Sequence, residues 1–333
     1  MSIHPRDVLL EAQAAAFALP VCDHYSGVPA RMLKSLQRQA ELMDRFGACV
    51  VDVTLDCEDG APVGGEAEHA AFVTETLLSL KPVQGHLPRV GVRVHALDHP
   101  SFDADVATVV GQASTHMAYV MVPKVESVQD VDRVAQAMAD ANGEALPIHV
   151  LIESPAAVHR AFDIAAHPRV QSLSFGLMDF VSAHGGAIGA SAMGVQGQFT
   201  HPLVVRAKLE IAAACHAHGK VPSHCVVTEF KDAQALRLAA SQACDGFGYT
   251  RMWSIHPDQI EPILQAFAPA PNEVEMALRV LEAANAAQWG PVAVNNHLHD
   301  RASFRYFWQV LGRAHRTGCA LPEPWATWLR APA

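Results

Sequence analysis

The sequence predicts a TIM barrel, a closed ring of eight parallel β-strands surrounded by helices. Short apolar, β-rich runs alternate with longer helix-like segments, as repeated βα units do. No GxGxxG motif follows the first run, which weakens the competing interpretation, a doubly wound open sheet. The chain has 333 residues, 50% of them hydrophobic, enough for one large core. The runs cover residues 16–22, 49–59, 89–97, 117–125, 148–154, 172–180, 221–227 and 246–255.

The segments between these runs carry recognisable helix starts. Ser127 precedes an acid by three positions, and Ser154 directly precedes a proline. Thr200 precedes Pro202 by two positions. Ser and Thr cap helix N-termini, and proline is tolerated in the first turn. These positions therefore predict helices after the fourth, fifth and sixth runs.

The character of the chain changes after residue 268. A Pro-rich break leads into an amphipathic segment in which Asn272 and Glu275 are spaced as the N-cap and N3 residues of a helix. A second helix is expected at roughly 301–315, followed by a tail, "LPEPWATWLR", with exposed tryptophans. We therefore divide the chain into a barrel domain, 1–268, and a C-terminal helical arm, 269–333.

Composition excludes several classes of partner. The net charge is −10, from 24 Lys and Arg against 34 Asp and Glu, and no basic cluster suggests nucleic-acid binding. No run approaches the roughly 18 to 20 apolar residues of a membrane helix, and the N-terminus has no signal pattern. The seven cysteines form no CxxC pair, so neither disulfides nor zinc are expected, and Cys57 and Cys225 should be buried. A cytoplasmic protein is predicted.

Polar residues at the carboxyl ends of the predicted strands are the first candidates for a functional site, because that face carries the active site of TIM barrels. The set is rich in acids and contains two strong cations. It comprises Asp56, Glu58, Asp59, Arg93, His95, Lys124, Glu153 and Asp179.

Glu153 and Asp179 end the fifth and sixth runs. Two ionised acids on adjacent strands repel each other in a dry pocket unless a cation lies between them. Mg²⁺ is held by one or two carboxylates together with waters and an anionic substrate, which favours it over zinc. The alternative is that Glu153 merely caps a helix and Asp179 is a loop acid.

Arg93 and Lys124 are the candidate anion-binding groups. The guanidinium of Arg93 can hold a carboxylate bidentately, although it can also be a structural partner of Asp56 or Glu58. Lys124 can bind an anion, but pairing with Glu126 or with another neighbouring acid is the stronger alternative. The glycine-rich segment after Asp179, in contrast, lacks the Lys-Ser/Thr of a P-loop and is expected to be a flexible loop over the site, with phosphate binding as the alternative.

Six motifs together resemble the citrate lyase beta-subunit-like aldolases of the HpcH/HpaI superfamily, which include malyl-CoA and citramalyl-CoA lyases. The ordered resemblance spans about residues 15–310. The first and eighth runs, "LPVCDHYSGVPARM" and "GFGYTRMWSIHP", depart from the family pattern where CoA would lie. The motifs are "LDCEDGAP" (55–62), "VRV" (92–94), "VPKVES" (122–127), "LIESPAAV" (151–158), "FGLMDF" (175–180) and "WSIHPDQI" (253–260).

This resemblance implies a TIM barrel of the phosphoenolpyruvate-binding type in a homo-oligomer, commonly a trimer. It implies that Glu153 and Asp179 are ligands of Mg²⁺, with Mn²⁺ as an alternative ion, and that Arg93 grips a 2-oxo acid. Asp300, in "NNHLHDRASF", corresponds to the acid that transfers a proton across the subunit interface, on an arm that reaches a neighbouring subunit.

The expected function is a Mg²⁺-dependent carbon–carbon lyase that cleaves a 3-hydroxyacyl thioester of the malyl, citramalyl or citryl type. The products are an acyl thioester and a 2-oxo acid, with a role in oxaloacetate metabolism, and CoA is part of the substrate rather than a cofactor. Glu58, Asp59 and Lys124 are expected to take part in substrate binding. Two alternatives remain: an aldolase acting on a free 2-oxo or hydroxy acid without CoA, and a subunit active only within a multi-subunit lyase.

Overall fold

The computed structural model describes residues 4–10 and 19–330. Within them, eight parallel strands close into a barrel because the first strand pairs with both the second and the eighth. This confirms the predicted TIM barrel. The barrel strands are β1 (Cys22–Ser26), β2 (Val51–Asp56), β3 (Val90–Arg93), β4 (Tyr119–Val122), β5 (Ile148–Ile152), β6 (Val170–Phe175), β7 (Val221–His224) and β8 (Arg251–Ser254).

Helices cover the outside of the barrel and form the C-terminal segment. No helix of the described residues has the length and apolarity to cross a bilayer. The helices are α1 (Pro5–Leu9), α2 (Pro29–Phe46), α3 (Glu66–Leu78), α4 (Phe102–Asp105), α5 (Gly111–Ala113), α6 (Val128–Asp140), α7 (Pro155–His159), α8 (Ala161–Ala166), α9 (Leu177–Ser182), α10 (Pro202–Ala217), α11 (Ala233–Ser241), α12 (Ile260–Phe267), α13 (Pro271–Ala286), α14 (Arg301–Arg316) and α15 (Trp325–Leu329). A two-stranded hairpin, β9 (Val292–Val294) and β10 (His297–His299), lies between α13 and α14.

Two of the predicted helix starts are confirmed at the residue. Ser127 caps α6 and Ser154 caps α7, each accepting a backbone N–H from three residues on, at 3.2 and 3.0 Å. The helix α10 begins at Pro202 with His201 as its N-cap, so Thr200 lies one residue too early. Glu153 is therefore held between the end of β5 and the helix cap at Ser154.

The first strand was predicted too early. The run 16–22 was expected to form it, but β1 begins where that run ends, and the first three residues of the run lie outside the described part of the chain. The reason is that β1 points polar side chains into the barrel: Asp23 pairs with Arg251, and Tyr25 contacts Arg93. A search for apolar runs overlooks such a strand.

The lower barrel interior contains a buried charge network. The side chain of Arg251 is fully buried and lies 2.7 Å from Asp52 and 3.0 Å from Asp23, while Arg89 donates to Asp52 at 3.0 Å. Two arginines thus balance two aspartates. The pair of Asp23 and Arg251 joins β1 to β8, and loss of one partner of such a buried pair typically costs about 3–5 kcal/mol.

Above this network the interior becomes aromatic and apolar. The ring of Tyr119 stacks on His149 with centroids 3.8 Å apart, and Leu151 and Trp253 pack with Tyr119. Gly91 provides the space for Tyr119, since a Cβ at that position would lie 2.1 Å from the tyrosine ring. These buried side chains fill the barrel interior below its carboxyl face.

The C-terminal segment differs from its prediction in two places. The helix α13 begins at Pro271, and Glu273 accepts the Ala270 N–H at 2.8 Å, so the predicted start at Asn272 and Glu275 is wrong by two residues. Proline took the first helical position, where its missing N–H costs nothing. The helix expected at 301–315 is confirmed as α14.

The tail was expected to expose its tryptophans, and this is wrong for Trp325, which is 2% exposed. It packs with α14 and α13 in a small core that also contains Leu9 and Leu10 from the N-terminal segment. The tail therefore joins a core of its own beside the barrel.

The predicted burial of two cysteines is confirmed. All seven cysteines are free, and Cys57 and Cys225 are buried. Burial raises the pKa of both thiols, which keeps them protonated and poorly nucleophilic.

Candidate active site

Arg93 is the last residue of β3 and lies opposite Asp56, the last residue of β2. Its Nε donates to Asp56 Oδ1 at 2.7 Å and its Nη2 to Oδ2 at 3.0 Å. Both side chains are buried. The structural partnership that the sequence allowed for Arg93 is therefore present, as a bidentate pair at the carboxyl face of the barrel.

Three further oxygens surround the outer edge of the same guanidinium. Nη1 lies 2.7 Å from Glu58 Oε2, and Nη2 donates to Asp59 Oδ2 at 2.8 Å and to the Tyr25 hydroxyl at 2.9 Å. Burial alone would lower the pKa of Arg93, but Asp56, Tyr25 and Glu58 raise it well above its usual value. The guanidinium is therefore permanently charged.

Tyr25 is a site residue that the sequence did not predict. Its ring lies 4.9 Å from the Arg93 guanidinium and stacks on Trp253 with centroids 5.9 Å apart and planes 15° apart. Its hydroxyl donates to Asp56. Burial raises the pKa of Tyr25, so the hydroxyl remains a donor. The sequence analysis missed Tyr25 because it placed the first strand too early. The direction of a side chain cannot be predicted for a residue that is not assigned to a strand.

Glu153 follows β5 directly and turns its carboxylate toward the backbone of Lys124. The Lys124 N–H donates to Glu153 Oε2 at 2.9 Å, with Lys124 in the left-handed region at φ 54°. Such a conformation is costly for a residue with a side chain and occurs often at functional sites. The Lys124 ammonium lies 2.9 Å from Glu58, so its partner is this neighbouring acid and not Glu126.

Asp179 lies in the first turn of α9, because β6 ends at Phe175, earlier than the predicted run 172–180. Gly176 joins the two elements, and a Cβ there would lie 2.3 Å from Glu153 Oε1. The glycine thus leaves room for the Glu153 carboxylate. Burial and then the nearby Asp179 raise the pKa of Glu153 to about 7.

The donor set of this face fits a hard divalent cation. Five carboxylates share the face, and the cations paired with them are Arg93 and Lys124. The carboxylates are those of Asp56, Glu58, Asp59, Glu153 and Asp179. Across residues 4–10 and 19–330, no group of three or more His, Cys, Asp or Glu is arranged to hold a metal by protein ligands alone. A pair of carboxylates completed by water and an anionic ligand is the coordination Mg²⁺ prefers. Glu153 and Asp179 would supply that pair, and their mutual repulsion is what a cation relieves.

The glycine-rich loop after α9 lines a cavity of about 680 Å³ together with Glu229, which follows β7. Short helical turns at 190–193 and 197–199 give the loop local structure. Glu229 accepts the Val195 N–H at 3.3 Å. None of the residues that line the cavity is Lys or Arg, and one is an acid, so its chemistry does not suit a phosphate.

Asp300 is not brought to this face within the chain. It is the exposed N-cap of α14, where its carboxylate accepts the N–H groups of Ala302 and Ser303 at 3.0 and 3.3 Å. Among the described residues, its hydrogen-bond partners all belong to its own helix start. The other predicted site residues, Arg93, Glu58, Asp59, Lys124, Glu153 and Asp179, do lie together.

Comparison with known proteins gives a consistent result. A family model described as HpcH/HpaI aldolase/citrate lyase matches residues 32–257. A citrate lyase crystal structure from Burkholderia xenovorans LB400 is 47% identical, covers 99% of this chain and 100% of that chain, and has a TM-score of 0.79. The L-malyl-CoA/beta-methylmalyl-CoA lyase of Cereibacter sphaeroides is 29% identical over 286 residues, which cover 79% of this chain and 87% of that protein.

Protein CitE of Mycobacterium tuberculosis, crystallised with magnesium, acetoacetate and coenzyme A, is 23% identical. It covers 90% of this chain and 99% of its own, with a TM-score of 0.66, and at this identity it supports the fold alone. The family match extends from within α2 past the end of β8, so it includes the strands β2 to β8 and the acids and cations of the site, but not Tyr25 of β1. The chain belongs to the HpcH/HpaI aldolase/citrate lyase family and is an enzyme of the carbon–carbon lyase class, an oxo-acid lyase or aldolase.

Proposed function

We propose that the protein is a Mg²⁺-dependent lyase that cleaves a 3-hydroxyacyl thioester of the malyl, citramalyl or citryl type into an acyl thioester and a 2-oxo acid. The observation that carries this proposal is the pair of acids Glu153 and Asp179 beside an Arg93 that is held for anion binding. An anionic substrate is repelled by a face with five carboxylates and two cations. A divalent cation offsets two of the three excess negative charges and so reduces that repulsion.

The residues divide the binding of the oxo-acid fragment among them. Glu153 and Asp179 would hold the ion, Mg²⁺ or the similarly oxygen-binding Mn²⁺, which when bound supplies Lewis-acid stabilisation of developing oxygen charge. Arg93 binds the carboxylate of the oxo-acid fragment. Glu58 connects Arg93 to Lys124 through its two oxygens, at 2.7 and 2.9 Å, and so fixes both cations relative to each other.

The reaction requires one proton to leave and one to arrive. The substrate hydroxyl loses its proton, the adjacent carbon–carbon bond breaks, and the oxo group of the 2-oxo acid forms. The electron pair of the broken bond gives the enolate of the acyl thioester, which must be protonated. We assign this step to Asp300 of a neighbouring subunit in a homo-oligomer, a trimer by resemblance, because Asp300 is exposed and its hydrogen-bond partners among the described residues all belong to its own helix start.

The helix α2 carries two cations that would bind the thioester end of the substrate. Arg31 and Lys34 are exposed in the first two turns of this helix. The helix begins after the carboxyl end of β1, so these side chains start from the active-site face. They would bind the phosphates of CoA, whereas the cavity beside Glu229 offers no cation. This favours a CoA substrate over the alternative, an aldolase of free acids.

Assays of the purified chain with Mg²⁺ test the proposal. We expect cleavage of malyl-CoA or citramalyl-CoA with release of the oxo acid, and no cleavage of the free acids. A variant with Arg31→Ala and Lys34→Ala should raise KM for the thioester without changing Mg²⁺ binding. Equal turnover of the free acids would favour the CoA-independent aldolase, and activity only after addition of partner chains would favour a subunit of a larger lyase.

A further inference from the structure

We infer that Asp59 occupies the substrate's place on Arg93 and that the carboxylate of the oxo acid displaces it on binding. This inference rests on the proposed function and assigns to one of its residues a role as an exchangeable internal anion. Asp59 would then not hold the substrate at all. It would set how tightly Arg93 can hold it.

The first observation is that Arg93 has no free nitrogen. Nε is bonded to Asp56, and Nη1 pairs with Glu58. Nη2 has three acceptors within 3.0 Å, Asp56, Asp59 and Tyr25, but only two hydrogens to donate. Nη1 has one acceptor for its two hydrogens, so a further carboxylate that binds both Nη1 and Nη2 needs one of the present acceptors to leave Nη2, where the oversubscribed bonds are most easily lost.

The second observation is that the acids on Arg93 differ in what else holds them. Asp56 is fully buried and also accepts from Tyr25 and from the Glu58 N–H. Glu58 has a side chain that is 10% exposed and is tied to Lys124 as well. These two acids would lose hydration and several bonds if they were displaced, so they are fixed parts of the site.

Asp59 has neither of these restraints. Its side chain is 72% exposed, and Arg93 is its only hydrogen-bonding or ionic partner in the described chain. Rotation into solvent replaces one weak, water-screened bond by hydration. The exchange also conserves charge at the guanidinium, because one carboxylate leaves as another arrives. The outer edge of Arg93 is therefore selective for a carboxylate, which alone replaces what Asp59 supplied.

Calorimetric titration of the Mg²⁺-loaded, full-length protein with pyruvate tests this inference. Asp59→Asn and Asp59→Ala should each lower the Kd for pyruvate by about two- to fivefold, the range that corresponds to one exposed ion pair. Asp56→Asn removes a fixed acid from the same guanidinium and should raise the Kd by about tenfold or more. Asp140→Asn, an exposed acid at the far end of α6, makes the same change in net charge and should leave the Kd unchanged.

The outcomes separate the two proposals. If the wild type binds pyruvate and both Asp59 variants bind it no more tightly, the inference is overturned and the proposed function stands. If the protein binds Mg²⁺ but neither the wild type nor the Asp59 variants bind pyruvate, the proposed oxo-acid site fails and the inference fails with it. A gain of equal size in Asp140→Asn would assign the effect to net charge and would also overturn the exchange.

Discussion

Arg93 must be an arginine because of the geometry of its partners. Its planar fork binds Asp56 through two nitrogens and still reaches Glu58 through the third. A lysine has one nitrogen, so it could not bind both oxygens of Asp56 and also reach Glu58, and weaker pairing of a buried acid is destabilising. The residue that we propose binds the substrate carboxylate therefore also stabilises this face of the barrel.

Lys208 is a second buried cation, and it lies away from the site. It is fully buried, donates to Gln198 at 2.9 Å and lies 3.8 Å from the centroid of the Phe199 ring. No ion pair with a carboxylate is recorded for it among the described residues. Burial lowers its pKa to about 8. The folded state therefore binds this proton less well than the unfolded chain.

Lys208→Met should therefore stabilise the protein near neutral pH. Between about pH 8 and 10.5 the unfolded state is more protonated at this lysine than the folded state, so the stability of the wild type rises with pH in this range. At about pH 7 both states hold the proton, and the wild type carries the full cost of the buried charge. We expect the free energy of unfolding of the variant to exceed that of the wild type by about 1–3 kcal/mol at about pH 7 and by less near pH 10. Urea unfolding at both pH values measures this.

The matched control for that experiment is Lys81→Met, at an exposed lysine, where the change should stay within about 0.5 kcal/mol at either pH. A Lys208→Met variant that is less stable at neutral pH, or equally shifted at both pH values, would contradict this account of the buried amine.

Single residues at strand ends were the most predictable part of the site. Arg93, Lys124 and Glu153 lie on one face because parallel strands end on the same side of a barrel, which the order of apolar runs already implied. The direction of each side chain was not predictable, because it depends on partners distant in sequence. Lys124, for example, turns to Glu58, an acid 66 positions away.

At the scale of elements, the site depends on the turn between β6 and α9. Gly176 carries no side chain where Glu153 approaches, and α9 begins at once, so that Asp179 faces the same space. The turn therefore determines the separation of the two proposed metal ligands. A change in this turn should act on metal binding without touching either acid.

Gly176→Ala should weaken Mg²⁺ binding by about tenfold or more, because the new Cβ would overlap the Glu153 carboxylate at 2.3 Å and force it to move. Calorimetric titration with Mg²⁺ measures the affinity, and thermal unfolding checks the fold. Gly111→Ala is the control: this helical glycine has no atom within 4 Å of its ideal Cβ, so the variant should keep its Mg²⁺ affinity and be at least as stable as the wild type. Unchanged affinity in Gly176→Ala would show that the turn does not position Glu153.

Elements that the sequence did not reveal share a physical cause. β1 is polar because its partners are inside the barrel, so its pattern is not that of an ordinary buried strand. The hairpin of β9 and β10 has strands of only three residues. Its signal was the pair Asn295 and Asn296, both with positive φ, which is typical of a tight hairpin turn. Short strands that lack a strong alternation of apolar and polar residues are therefore predicted from the turn residues between them.

At the scale of the whole molecule, the barrel and the C-terminal segment have separate cores. Residues of α13, α14 and α15 pack together with Leu9 and Leu10 rather than joining the core between the barrel and its helices. Asp300 begins α14 on the exposed side of this second core. The sequence predicted such an arm, and we propose that it contacts a second chain. A complete active site would accordingly require two copies of the protein.

Complementation between two inactive variants tests this arrangement. Glu153→Gln should lose metal-dependent activity, and Asp300→Asn should keep metal and oxo-acid binding but lose turnover. If each site takes Glu153 from one subunit and Asp300 from its neighbour, co-expression in equal amounts should restore about a quarter of wild-type activity, the fraction of intact sites in randomly mixed oligomers. Activity no greater than the sum of the two variants alone would place both residues in one chain or exclude Asp300.

The most direct test of the central claim, that Glu153 and Asp179 hold one divalent cation beside Arg93, is a crystal structure with Mn²⁺ and pyruvate. Anomalous scattering locates the ion without ambiguity. We predict one strong peak within about 2.3 Å of an oxygen from each of the two carboxylates. The pyruvate carboxylate should lie on Arg93, with Asp59 turned to solvent. An ion bound elsewhere, or Glu153 and Asp179 both without contact to it, would contradict the account.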